Sequence, residues 1–184
     1  MLDSINEKTK SIIQVWKKFC GSIAPDVYTE LSKTSFEMIE VMTEKLSLWK
    51  DKSLDTGDKV LLYSCLGCIV EAWFRFFYCV YYNEYKKAPF RDRYNQIKSR
   101  KNLRFEEMID YSIDKLFTDK NDDLYLWSNK IRKLRNSIHI FNVPAFDDCD
   151  YEKDIRFLND FIEMVWNQLP PIEDCVDERF GNWD

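Results

Sequence analysis

The chain has 184 residues, 45% of them hydrophobic and 16% aromatic, with only 4 glycines and 5 prolines. That length suits one domain, or one domain with an extension, and the composition favours packed helices over a many-turned β structure. The formal net charge is −5, which excludes a polycation, so any contact with nucleic acid has to come from a local patch.

The opening residues, Met1 to Lys8, carry charge early and hold no apolar run. They do not read as a secretory signal, and a cytoplasmic location is expected. The six cysteines (Cys20, Cys65, Cys68, Cys79, Cys149 and Cys175) are then expected to be reduced thiols. Cys65 and Cys68 have two residues between them, but no second such pair exists and the lone histidine is far away in sequence. Structural zinc asks for four ligands, so no metal and no other cofactor is expected.

Residues 3–20 are predicted to form a helix, with Asp3 or Ser4 able to cap it, Ile5, Ile12, Trp16 and Phe19 on its apolar side, and Gly21 to stop it. Residues 21–25 form a turn. A second helix is predicted from Asp26 to about Lys50, with Leu31, Phe36, Ile39, Met42, Leu46 and Trp49 near one face. A polar linker follows over 50–58.

Val60 to Tyr82 is the most apolar stretch. It is long enough to span a bilayer, but Glu71 and Arg75 at mid-length would cost several kcal/mol in lipid. It is therefore expected to be the central core helix of a protein that does not enter the membrane. Glu71 has two readings: it pairs with Arg75 one turn on, or it reaches the arginines of a later helix and holds a guanidinium in place.

From Lys86 to Arg104 the sequence turns basic, with Arg91, Arg93, Lys98, Arg100 and Lys101 around Phe90 and Tyr94, and Pro89 breaks the helix. Cations track phosphates and rings accept stacked bases, so Arg91, Arg93, Tyr94, Lys98, Arg100 and Lys101 are candidate RNA contacts. A solvated loop is the plain alternative. Phe105 to Phe117 is predicted to be a short amphipathic helix, and residues 118–123 a loop whose acids cap the next one.

That next helix, predicted over 124–142, carries the chemistry. Leu124, Trp127, Ile131, Leu134, Ile138 and Phe141 form one apolar stripe. Ser128, Arg132, Arg135, His139 and Asn142 form a second stripe, about 100° round the helix. Asn136 lies one turn before the single histidine, His139. A histidine beside two guanidiniums and an amide can act on a phosphate; a half-buried structural histidine is the plain alternative. After a break at Pro144, residues 147–150 cap a last helix from Tyr151 to Leu169, with Ile155, Leu158, Ile162, Val165 and Leu169 inward. Pro170 and Pro171 end it, and residues 171–184 are an acidic tail.

The run Arg132-Lys133-Leu134-Arg135-Asn136-Ser137-Ile138-His139 resembles the signature of the HEPN superfamily (higher eukaryotes and prokaryotes nucleotide-binding domains): an arginine, four to six residues, then a histidine, commonly with Asn directly after an arginine. Arg132 fits that spacing, and Arg135-Asn136 resembles the Arg-Asn pair, so either arginine can play the family's role. Leu66-Gly67-Cys68-Ile69-Val70-Glu71-Ala72 is similar to a Leu-Gly-x-x-x-Glu-Ala stretch in a long early helix of many bacterial HEPN domains.

The resemblance implies an all-α fold: an HEPN-like antiparallel bundle of four to five helices over 56–170, with a two-helix N-terminal extension over 1–55. It also implies a homodimer whose Arg-His motifs face one cleft. The implied function is a metal-independent endoribonuclease using 2′-OH transesterification, in toxin–antitoxin or anti-phage service, with an antitoxin or other defence protein as a partner besides RNA. Arg132, Arg135, Asn136 and His139 would be catalytic, supported by Glu71 and Ser128. The alternative is a non-catalytic HEPN-like module that binds RNA, a nucleotide or a protein.

Overall fold

A computed structural model describes residues 1–19, 25–136, 146 and 149–171, with Phe19 described by its backbone alone. The described chain is all-α: α1 (Leu2–Phe19), α2 (Pro25–Leu31), α3 (Met38–Lys45), α4 (Thr56–Val80), α5 (Tyr82–Lys87), α6 (Phe105–Tyr111), α7 (Asp123–Arg135) and α8 (Tyr151–Gln168). Two isolated bridges, Arg91 with Ile97 and Ile113 with Phe117, are the only β pairing among the described residues.

The apolar run over Val60–Tyr82 becomes most of α4, which ends at Val80, and the first residue of α5, and the rest is built round α4. Asp55 caps its start by accepting a hydrogen bond from the Asp58 amide at 2.8 Å. By length and composition α4 could cross a membrane, yet most of its apolar side chains are enclosed by protein, with Leu61 an exposed exception. Leu62, Leu66, Ile69, Val70, Trp73 and Phe74 are all buried, and α2, α3, α6, α7 and α8 pack around it. Aromatic rings set much of that packing. Phe74 meets Phe161 of α8 at 5.1 Å, while Phe76 meets Trp16 of α1 edge-on at 5.8 Å and Phe36 at 5.6 Å. The N-terminal helices thus share one continuous core with the helices after residue 56.

The second predicted helix is broken. Pro25 opens α2 as its first residue, where its missing N–H costs nothing. The chain then turns over 32–37 before α3, and residues Leu46–Trp49 tighten into a 3₁₀ turn. The cause is a run of hydroxyls that compete for the backbone. Thr29 Oγ1 donates to the Pro25 carbonyl at 2.7 Å, Ser32 Oγ to Thr29 at 3.2 Å and Thr34 Oγ1 to Leu31 at 2.7 Å. The break lets both Leu31 and Phe36 reach the core.

The helix predicted over Phe105–Phe117 also stops early, at Tyr111. Ser112 is fully buried, and its Oγ bonds both Met108 and the Tyr78 hydroxyl. Its carbonyl accepts the amides of Lys115, Leu116 and Phe117, and Asp114 takes a left-handed conformation at φ 63°. The later helices begin as their acids suggest. The Asp122 carboxylate accepts from the Leu124 amide at 2.9 Å, and that of Asp150 from the Lys153 amide at 3.0 Å. Cys20, Gly21, Pro144, residues 147–148 and the acidic tail from 172 lie outside the described residues, as does Cys175.

Candidate functional site

Gly67 and Glu71 lie one turn apart on α4, on the side that faces α7. A Cβ placed at Gly67 would stand 2.5 Å from Cβ and 2.8 Å from Cγ of Arg135. Only glycine admits the arginine stem there. One turn further, the Glu71 carboxylate divides between two guanidiniums. Its Oε1 accepts from Arg75 Nη2 at 2.6 Å and Nε at 3.1 Å, and its Oε2 stands 2.9 Å from Arg135 Nη2. Glu71 therefore contacts both Arg75, one turn on, and Arg135 of α7. Arg75 also reaches the Leu103 carbonyl at 3.4 Å, which ties the pair to the start of α6.

Arg135 is in the last turn of α7 with Arg132 and Lys133, where cations suit the helix dipole. Its side chain keeps 33% of its surface open. Arg132 is more enclosed. Its Nε donates to Asn129 Oδ1 at 3.3 Å, and Nη1 faces Glu106 of α6 at 3.7 Å. Asn136 is exposed and caps the helix. Trp127, Ile131 and Leu134 of the apolar stripe are buried. Ser128 is buried too, and its Oγ has no hydrogen-bond partner among the described residues. His139 lies outside the described residues, together with Ile138, Phe141 and Asn142. The described site is thus the α4–α7 half: Gly67, Glu71, Arg75, Arg132, Arg135 and Asn136.

The basic segment divides. Arg91, Arg93, Tyr94 and Lys101 are exposed, Tyr94 at 68% with Arg93 stacked 4.8 Å from its ring centre. The Asp92 carboxylate shapes this turn by accepting the amides of Tyr94 and Gln96. Lys98 is half-buried and paired with Glu107 at 2.6 Å. Arg100 is only 6% exposed and is bound to Glu30 of α2. Its guanidinium is a core cation that no strand on the surface can reach. Arg104, three residues before Glu107, shares that carboxylate with Lys98 at 3.0 Å. A cavity of about 590 Å³ is lined by Arg93, Tyr94, Lys98, Arg104, Glu106 and Glu107, and Glu106 is also the acid that faces Arg132.

A second buried polar cluster left no trace in the sequence pattern. Asp154 of α8 is 2% exposed. Its carboxylate accepts from the Tyr63 hydroxyl at 2.6 Å, from Trp127 Nε1 at 3.0 Å and from Lys130 Nζ at 2.9 Å. Burial and this carboxylate together push the Tyr63 phenol far above its ordinary range, so it remains a donor. One acid thereby joins α4, α7 and α8. Cys65 and Cys68 are free thiols, and burial raises Cys65 to about 11.

The chain matches no protein-family model, no curated protein and no solved structure.

Proposed function

We propose that the protein is an HEPN-type, metal-independent endoribonuclease acting in the cytoplasm as a homodimer, in toxin–antitoxin or anti-phage service. The observation that carries this reading is the clamp on Arg135. The Arg135 stem is packed against Gly67 and its guanidinium is held by one oxygen of Glu71, which fixes its direction while a third of the side chain stays open. A pre-set cation of this kind serves a developing phosphorane dianion without reorganising during the reaction. The two stretches that resemble HEPN motifs, Leu66–Ala72 and Arg132–His139, supply the two sides of this contact.

In the reaction the RNA 2′-oxygen bonds to the neighbouring phosphorus and the bond to the 5′-oxygen breaks, leaving a 2′,3′-cyclic phosphate. The 2′-hydroxyl proton passes to a base, and a proton returns to the leaving 5′-oxygen. His139 serves as base or acid, and the second protomer supplies the other role. Arg135 and Arg132 offset the charge on the phosphate. Asn136 orients the imidazole or the phosphate. Arg91, Arg93, Tyr94 and Lys101 contact the strand.

The test is cleavage of a mixed single-stranded RNA in EDTA by wild type and His139→Ala. Cleavage by wild type alone, with cyclic-phosphate ends, is expected; equal cleavage by His139→Ala refutes the mechanism. The same Glu71 contact favours one other reading, because it offsets the Arg135 charge: a non-catalytic module that binds RNA. RNA retention that needs Arg132 and Arg135 but survives His139→Ala, with no cleavage by any variant, selects that module.

A further inference from the structure

A cavity of about 380 Å³ opens where α4 ends, six residues and about 9 Å along the helix axis from Glu71. Its walls are aromatic: Phe77, Tyr78 and Tyr81 from α4 and its end, Tyr85 from α5, and Tyr111 from α6. The rings form one connected set. Phe77 and Tyr81 lie 4.8 Å apart, Tyr78 and Tyr111 5.3 Å, and Tyr85 and Tyr111 5.4 Å. Such a volume suits a small ligand.

What these tyrosines offer is decided by where their hydroxyls go. Tyr81 donates to the Gln168 carbonyl, Tyr85 to Lys98 and Tyr111 to Ala88, while Tyr78 pairs with Ser112 Oγ. All four phenols are engaged with other parts of the chain. The cavity is left with π surface and few hydrogen-bond donors. A nucleobase, rich in acceptors, would find little to bond.

The charges point the same way. Glu84 and Asp114 both line the cavity, against the single cation Lys115. Lys115 itself shows how the wall treats an ammonium. Its Nζ lies 3.9 Å from the Tyr111 ring centre and donates to the Tyr111 carbonyl at 2.7 Å. Desolvation there pulls its pKa below the ordinary value despite Asp114. A primary ammonium needs its water back; a methylated one is weakly hydrated and gives up less on entering an aromatic site.

We propose that this cavity binds a methylated or quaternary ammonium ion, held over the Tyr81 and Tyr111 rings with Glu84 and Asp114 offsetting its charge. The Lys115 ammonium competes for the same wall. This site stands independently of the ribonuclease reading.

The test is calorimetric titration of the full chain with choline, and with 3,3-dimethylbutan-1-ol, its neutral isostere. Choline is expected to bind saturably and the isostere about tenfold more weakly or worse. Tyr81→Leu and Glu84→Gln should each weaken choline severalfold, and Lys115→Met, which removes the competing ammonium, should tighten it. Equal binding of the two ligands, no saturable binding by wild type, or weaker binding by Lys115→Met overturns the proposal. Lys115→Met is the decisive variant should Tyr81→Leu fail to fold.

Discussion

Gly67 lies directly beneath Arg135: a methyl group there would stand 2.5 Å from the arginine Cβ and 2.8 Å from Cγ. Those atoms are the root of the side chain, so they cannot swing aside without moving α7. Gly67→Ala is therefore expected to destabilise the protein by about 1–3 kcal/mol, although alanine is the better helix former. Urea unfolding measures it. If Gly67→Ala is as stable as wild type, the close approach of α4 and α7 is wrong.

Asp154 is the acid on which three helices converge. Asp154→Ala removes the acceptor of Tyr63 and Trp127 and the carboxylate that Lys130 pairs with, at an expected cost of about 3–5 kcal/mol. Asp154→Asn keeps the shape and some acceptors, and should cost less. Chemical denaturation of the two variants side by side gives the order. An equal and small loss in both would mean that the cluster contributes little.

Acid should weaken the fold through two other carboxylates. Burial pushes Glu30 up, but bonds from Arg100 and Lys33 outweigh it. Burial pushes Glu107 up, but Lys98 and Arg104 outweigh it as well. Both groups therefore sit below their ordinary value of 4.5 in the folded chain. They bind protons less readily folded than unfolded. Their contribution is complete above 4.5 and is lost as pH falls through the lower folded values. Urea midpoints measured downward from roughly pH 6 should fall below the ordinary carboxyl range, and Glu30→Gln and Glu107→Gln should each flatten that fall. An unchanged acid limb in both variants contradicts the pairing.

The basic segment makes a two-part prediction for RNA retention. Arg93→Ala and Lys101→Ala, both at exposed positions, should weaken binding and lower its salt dependence while leaving stability within about 0.5 kcal/mol. Arg100→Ala should do the reverse, because it strips Glu30 of its buried partner. Filter binding across a salt series, with a thermal melt for each variant, separates the two groups.

The sequence reads well where a pattern is local. The Glu71–Arg75 spacing, the helix within Val60–Tyr82 and the caps at Asp122 and Asp150 each depend on residues within a turn or two. It reads poorly where a partner comes from afar. Arg100 looks like its basic neighbours until Glu30, 70 positions away, is brought beside it. Asp154 looks like any acid in the first turn of a helix until Tyr63 and Trp127 meet it. The hydroxyl run Thr29–Ser35 was a local signal for the break between α2 and α3, and the apolar spacing masked it. Ser112, where α6 ends, is bonded to Tyr78 from 34 positions away. The sequence could place Gly67 and Arg135 on separate helices, but only the packing of α4 on α7 makes them touch.

The central claim is that Glu71 holds Arg135 for use on a phosphate. The most direct measurement is a double-mutant cycle on RNA cleavage in EDTA, using Glu71→Gln, Arg135→Ala and the pair together. If Glu71 acts through Arg135, each single change slows cleavage by about 10²–10³, the double variant is scarcely slower than either, and products end in cyclic phosphate. Losses that multiply in the double variant, a Glu71→Gln protein that melts lower yet cleaves at the wild-type rate, or a wild-type protein that leaves RNA intact would contradict it.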